Sequence, residues 1–152
     1  MIKKWLNRVF IDGLSGMAMG LFATLIVGTI ISQIGTIVGG ETGNYLVMMS
    51  SVAKVLTGAG IGVGVAHKYG ESPLVTVSAA SAGMIGAFAS KLLAGEVIVE
   101  GALHLTGAGE PLGAFIAAYV GIEIGHLVAG KTKIDIIVTP LITIGAGSAV
   151  GL

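Results

Sequence analysis

Long apolar stretches alternate with short polar connections along the whole chain. A helix needs about 20 mostly apolar residues to cross the hydrocarbon core of a bilayer, and five stretches meet this requirement. The pattern therefore predicts an all-α membrane protein, a polytopic bundle of about five transmembrane helices in which segments can be re-entrant or broken. Residues 1–152 are predicted to form a single transmembrane domain. The expected spans are about 10–38, 45–66, 73–93, 111–130 and 134–152.

The first and last stretches bear on how the chain begins and ends. No charged residue lies between Gly13 and Gly40, which is longer than the roughly 7–15 apolar residues of a signal peptide. The first stretch is therefore predicted to be a retained span. The last stretch runs to Leu152 without a polar flank, so we expect the domain to be truncated at its C-terminal end.

Small residues recur at every fourth position in three of the apolar stretches. Such stripes let helix backbones approach closely, which matters in lipid because no hydrophobic force drives helices together there. The pattern predicts a compact bundle in which each stripe faces a neighbouring helix. The stripes are Gly16, Gly20, Thr24, Gly28 and Ser32 in the first stretch, Ser78, Ala82, Gly86 and Ser90 in the third, and Gly113, Ala117, Gly121 and Gly125 in the fourth.

The second stretch has glycine at every alternate position from Gly58 to Gly64. On a helix, alternate positions fall on two nearly opposite faces, so both faces would need close neighbours. The segment is either a helix wedged between two others or a break that offers unwound backbone groups to a substrate.

The composition agrees with lipid as the solvent and narrows the chemistry. Hydrophobic residues make up 54% of the chain and charged residues only 11%, against roughly a quarter charged in soluble domains. The chain has no cysteine and a formal net charge of zero. Disulfides and thiolate metal sites are thereby excluded, and binding of nucleic acid has no electrostatic support. We expect no catalytic residue, metal site or cofactor in this chain.

Basic residues favour the cytoplasmic side of a membrane, and here they gather in the connections on one side. This distribution predicts a cytoplasmic N-terminus. The basic residues on that side are Lys3, Lys4, Arg8, Lys68, Lys131 and Lys133, and the acidic residues on the other side are Glu41, Glu96, Glu100 and Glu110.

The segment Ala94–Glu110 is the longest connection between the expected spans. It is predicted to be either an ordinary external hairpin or a re-entrant loop. A re-entrant loop requires protein or water to cover its backbone.

One face of the fourth stretch holds Tyr119, Glu123 and His126, opposite its small-residue stripe. An ionisable group in lipid costs at least about 2.5–3.5 kcal/mol, so this face needs protein or water beside it. Glu123 and His126 satisfy each other, or His126 extends to the inner headgroups, or the two line a polar cavity for a hydroxylated or ionic solute. Glu-x-x-His also resembles half of a di-iron motif, but no second copy occurs in the chain.

Lys54 is a basic residue within the second stretch. Its long side chain either extends to the outer surface or pairs with an acid such as Glu123 or Glu100. The second alternative would place Lys54 beside a polar pathway.

Three segments together resemble the sugar-permease component, enzyme IIC, of the bacterial phosphoenolpyruvate-dependent phosphotransferase system. They are Ile11–Gly35, Gly107–Gly125 with its GEPLGAF, and Gly130–Gly147 with its KTKIDIIVTP. The resemblance extends over the first half of a typical member. It implies a multi-pass permease of the bacterial plasma membrane that moves a sugar or related polyol inward. Transport would be coupled to phosphorylation by a separate cytoplasmic IIB partner, which would carry the phosphoacceptor.

Side-chain chemistry selects the candidate contacts to such a solute, because carboxylates accept hydrogen bonds from sugar hydroxyls and an imidazole accepts or donates them. The alternative function is a small oligomeric membrane pore or structural membrane module, in which the glycine stripes join identical subunits. We also expect a homo-oligomer, with a dimer favoured. The candidate substrate-binding residues are Glu123, His126, Glu110, Tyr119 and Lys54.

Overall fold

The computed structural model describes residues 1–152, and helices dominate it. Its two short strands, β1 (Ile98–Val99) and β2 (Ala102–Leu103), pair antiparallel. The predicted all-α membrane fold is confirmed. The helices are α1 (Ile2–Val38), α2 (Gly40–Val55), α3 (Thr57–Lys68), α4 (Pro73–Ala87), α5 (Ala89–Leu93), α6 (Pro111–Val128) and α7 (Asp135–Gly151).

Two helices, α1 and α6, are each long and apolar enough to cross a bilayer. The pair α2 and α3 makes a third such span if it is taken as one, although a bend of 50° divides it at Leu56. The apolar helices α4 and α7 are shorter, with 15 and 17 residues.

Helix α1 has 37 residues and is therefore about 55 Å long, against about 30 Å for the hydrocarbon core. It begins at Ile2 rather than near residue 10, because lysine and arginine form helix well where the helix is not in lipid. Two π-helical turns, Arg8–Gly13 and Phe22–Ile26, lie within it. The helix ends at Gly39, whose φ of +67° lets the chain reverse into α2.

Helix α3 is packed on both sides through its glycines. Gly60 and Gly64 lie against the backbone of α1, whereas Gly58 and Gly62 lie against α4. A Cβ atom at Gly58 would come within 2.7 Å of a carbonyl oxygen of α4, so only glycine allows this approach. The predicted wedged helix is confirmed. The chain is also broken, at Leu56, immediately before the glycine run.

The small-residue stripe of α6 packs against two helices. Gly113 lies against Gly86 of α4, and Gly121 lies against Thr143 of α7, where an added Cβ would be 2.6 Å from the Thr143 carbonyl oxygen. The predicted contact of this stripe with neighbouring helices is confirmed. Its packing leaves another face of α6 to carry Tyr119.

The core lies where α3, α4 and α6 meet, and most other large apolar side chains are exposed. Exposed apolar side chains are expected on surfaces that face lipid. The largest buried apolar side chains are Phe88, Ile61, Ile122, Val65 and Val75.

Opposite ends of the bundle carry opposite charge. Residues 1–12, 66–73 and 126–135 lie at one end of the bundle, here named the basic end. Residues 38–43 and 88–110 lie at the opposite ends of the same helices and are together named the acidic end. The exposed lysines of the basic end are Lys3, Lys4, Lys68, Lys131 and Lys133, and the exposed acids of the acidic end are Glu41, Glu96, Glu100 and Glu110.

The connection between α5 and α6 folds back on the acidic end as a β-hairpin. Its tight turn places Glu100 and Gly101 at positive φ, 51° and 81°. Val97 is buried, and the Glu110 N–H donates to the Ala87 carbonyl oxygen at 2.7 Å. The hairpin is thus attached to the end of α4, just before α6 begins.

Candidate functional site

Arg8 joins three parts of the chain at the basic end. From α1, its Nε donates to Glu123 Oε1 of α6 at 2.7 Å, and its Nη2 lies 3.8 Å from Glu71 Oε1 in the α3–α4 connection. The Glu71 carboxylate also lies 2.9 Å from His126 Nδ1. We name Arg8, Glu71, Glu123 and His126 the Arg8 cluster.

Glu71 is the buried member of the Arg8 cluster, with 3% of its side chain exposed. A buried carboxylate needs a counter-charge and hydrogen bonds, because removal from water costs several kcal/mol. The backbone places it: Gly70 has a φ of +68°, and the Glu71 N–H donates to the Ala66 carbonyl oxygen at 3.1 Å. This turn ends α3 and aims the Glu71 side chain into the bundle.

Aromatic side chains surround the cluster. The Arg8 guanidinium lies 3.8 Å from the centre of the Tyr69 ring, and the Tyr69 hydroxyl donates to the Arg8 carbonyl oxygen at 3.0 Å. Tyr119 packs edge-on against Tyr69, with ring centres 6.3 Å apart, and accepts a hydrogen bond from Trp5 Nε1 at 2.9 Å. Rings and charges therefore form one connected group.

The phenol of Tyr69 has a strongly raised pKa. Burial raises the pKa of its phenol from 10.0 to about 12 because the phenolate would lose hydration. The Arg8 guanidinium opposes this rise, whereas Tyr119, Glu123 and Asp12 add to it. The phenol is thus neutral at physiological pH and available as a hydrogen-bond donor.

The Arg8 cluster opens at the bundle surface. The Arg8 and Glu123 side chains are 35% and 38% exposed, and that of His126 is 65% exposed. One carboxylate oxygen of Glu123 is bound to Arg8, and the other makes no hydrogen bond within the chain. An accessible acceptor, an imidazole and aromatic rings match the needs of a polyhydroxylated ligand, whose hydroxyls both donate and accept.

The structure brings together three of the five predicted residues, Tyr119, Glu123 and His126. Glu123 and His126 do not bond to each other, because each finds a partner on another element. Lys54 lies half-buried at the end of α2 and forms no ion pair, including with Glu123 or Glu100. Glu110 is exposed at the acidic end, immediately before α6.

Arg8 and Glu71 belong to the cluster but are absent from the sequence-based candidates. A signal for them exists, because the distribution of basic residues predicts that residues 1–12, the α3–α4 connection and the end of α6 share one side of the membrane. A carboxylate within α6 needs a cation from that side, and Arg8 is the cation nearest the first span.

No group of three or more His, Cys, Asp or Glu side chains is placed to hold a metal ion. The Glu-x-x-His spacing of Glu123 and His126 therefore has no further ligands to form a di-iron centre.

Comparison with known proteins gives one match. The family model described as "Phosphotransferase system, EIIC" matches residues 11–152. No curated protein and no solved structure matches the chain.

Proposed function

Because this chain belongs to the EIIC family of the phosphotransferase system, we propose that its Arg8 cluster is a contact site for the transported sugar. Membership makes the chain a membrane-embedded sugar permease component and implies a cytoplasmic IIB partner. It favours this function over the small oligomeric pore.

The observation that carries the proposal is the convergence of Glu123 and Tyr119 with Arg8, Glu71 and Tyr69 in one half-exposed group. A purely structural ion pair needs one acid and one base. Here two carboxylates share one guanidinium, and Glu123 keeps an oxygen free for an external donor. The neighbouring rings supply apolar area for the faces of a sugar.

The basic end is proposed to face the cytoplasm. Its five exposed lysines follow the preference of basic residues for that side. The Arg8 cluster would then hold the sugar on the side where the IIB partner acts.

Glu110 and Lys54 remain candidate contacts outside the cluster. Glu110 is exposed at the acidic end, where it would meet an entering sugar first. Lys54 lies two residues before the break at Leu56, so it would meet the sugar at intermediate depth. Both assignments place these residues along one path, on which the sugar moves from the acidic end to the Arg8 cluster.

The test uses the single tryptophan, Trp5, which is bonded to Tyr119. Purified protein in lipid nanodiscs is titrated with aldohexoses, ketohexoses and hexitols while Trp5 emission and thermal unfolding are followed. At least one member should bind, and Glu123→Gln should weaken its binding about tenfold or more, since charged hydrogen bonds contribute about 1.5–3 kcal/mol. Glu41→Gln, the same change at the acidic end, is the matched control. Unchanged affinity in Glu123→Gln would reject the site.

A further inference from the structure

An apolar groove lies on the bundle surface beside the β-hairpin, at the end opposite the Arg8 cluster. Ala80, Ser81 and Met84 of α4 line it, together with Leu103 and Leu105 of the hairpin segment. Its volume is about 370 Å³, within the range of roughly 300–1,000 Å³ that is usual for small-molecule sites. Eight of its nine lining residues are hydrophobic. The groove therefore lacks the polar groups that a sugar needs and suits a hydrocarbon.

Small side chains on two helices create the groove. Ala59 of α3 lines it with Ala80 and Ser81 of α4, and none of the three fills the space between the helices. The lining continues along α4 to Phe88, eight residues after Ala80, which corresponds to about 12 Å of helix. An elongated apolar groove matches an extended acyl chain. Ser81 and Leu103 are exposed, so such a chain enters from the surrounding lipid.

One cation lies beside the groove at the acidic end. The Lys91 ammonium is 5.8 Å from the centre of the Phe88 ring, which lines the groove. Lys91 is the only lysine or arginine among residues 38–43 and 88–110. It is exposed and forms no ion pair, although four exposed glutamates lie at the same end. Its charge is therefore available to a ligand whose apolar part occupies the groove.

We propose that the groove binds one acyl chain of a phospholipid and that Lys91 holds its anionic headgroup. The apolar lining and the adjacent free ammonium match the two parts of such a lipid. Phosphatidylglycerol carries a net negative charge, whereas the choline group of phosphatidylcholine competes with Lys91 for the phosphate. A lysine near the membrane surface strengthens the binding of an anionic lipid about fivefold.

The bound chain contacts three elements at once, through Ala59 of α3, Met84 of α4 and Leu103 of the hairpin. It thereby stabilises the attachment of the hairpin to the bundle. Since a ligand of the folded state favours folding, phosphatidylglycerol raises the unfolding temperature in detergent more than phosphatidylcholine does.

The experiment measures which lipid occupies the groove. Trp5→Phe with Leu103→Trp moves the only tryptophan to the groove, and the full chain is reconstituted in vesicles that mix phosphatidylglycerol with phosphatidylcholine. Bromine atoms on the acyl chains of one lipid at a time quench tryptophan emission on contact. Phosphatidylglycerol should be preferred about fivefold. Trp5→Phe with Ile116→Trp is the matched control and should show no preference, because Ile116 is exposed on α6 outside the groove.

Two variants test the two parts of the site. Lys91→Gln should abolish the preference reported by Leu103→Trp, whereas Lys133→Gln at the basic end should leave it unchanged. Ala80→Phe fills the groove and should abolish the preference although Lys91 remains. Ser81→Phe, at an exposed position of the groove, makes the same test if Ala80→Phe does not fold.

Three results would overturn the proposal. A preference that survives Lys91→Gln or the filling of the groove would mean that the lipid binds elsewhere. Equal preference at Leu103→Trp and Ile116→Trp would identify ordinary surrounding bilayer. No quenching at Leu103→Trp by either lipid would mean that another polypeptide, such as a second copy of the chain, covers the groove.

Discussion

A carboxylate as buried as that of Glu71 is tolerated only because of its neighbours. His126 Nδ1 lies within hydrogen-bonding distance, and the Arg8 guanidinium lies 3.8 Å away. Arg8 also stacks on Tyr69 and binds Glu123, so one side chain offsets charge on two elements. Removing Arg8 would leave Glu71 partly uncompensated, which is more costly than the loss of an exposed pair.

The raised pKa of Tyr69 predicts how the stability of the folded protein changes at high pH. Its phenol ionises near pH 12 in the folded protein and near pH 10 in the unfolded chain. The stability contributed by neutral Tyr69 is therefore complete below about pH 10 and is lost as pH rises through 12. The absorbance of tyrosinate near 295 nm should show a phase near pH 12, and Tyr69→Phe should remove that phase.

Tyr45 supplies the control for this titration, since it is exposed on α2. Tyr45→Phe should leave the phase near pH 12 in place. Persistence of that phase in Tyr69→Phe would show that another phenol has the raised pKa.

For individual residues, the sequence predicted which side chains share one face of α6 but not which side chains of other elements they contact. The spacing of Tyr119, Glu123 and His126 is enough to place them together on one side of α6, because helical geometry is local. The positions of Arg8 and Glu71 depend on how α1 and the turn at Gly70 pack in three dimensions. The distribution of basic residues indicates that these segments share one side of the membrane, but no local pattern gives the packing that determines which side chains pair.

Helices α6 and α7 pack against each other at Gly121, so a larger side chain at this position tests their contact. Gly121→Leu should disrupt this packing, because even a Cβ would lie 2.6 Å from a backbone oxygen of α7. Overpacking typically costs about 1–3 kcal/mol and more where backbone must move. We expect a lower unfolding temperature in detergent and loss of the monodisperse species in size-exclusion chromatography.

Gly145→Leu on α7 is the matched control, because nothing lies within 4 Å of a Cβ at that position. It should leave the unfolding temperature nearly unchanged. Equal effects of the two substitutions would mean that leucine disturbs these helices without regard to their contact.

Small-residue stripes were the most informative signal for the elements. Spacing of four residues directly encodes a face that a backbone can approach, and the contacts of α1, α3 and α6 follow it. The break at Leu56 carries no such signal, since leucine is a good helix former. The predicted start of α1 was also wrong. Hydropathy identifies the part of a helix that lies in lipid, but it does not indicate how far the helix continues outside the bilayer.

The whole molecule is polarised, with five exposed lysines at the basic end and, at the acidic end, four exposed glutamates against one exposed lysine, Lys91. Composition alone predicted lipid as the solvent, and the family match agrees. Orientation matters for function, since only a cytoplasmic basic end brings the Arg8 cluster to the side of the IIB partner. An inverted molecule would present the same cluster to the exterior.

The absence of cysteine allows this orientation to be measured without background labelling. Lys133→Cys marks the basic end, and Glu41→Cys and Glu96→Cys mark the acidic end. A membrane-impermeant maleimide applied to right-side-out vesicles should label Glu41→Cys and should label Lys133→Cys only after permeabilisation, because the positive end is retained inside. The reverse pattern would reject the cytoplasmic N-terminus. Glu96→Cys decides the place of the hairpin: external labelling identifies a surface loop, whereas labelling only in detergent identifies a re-entrant one.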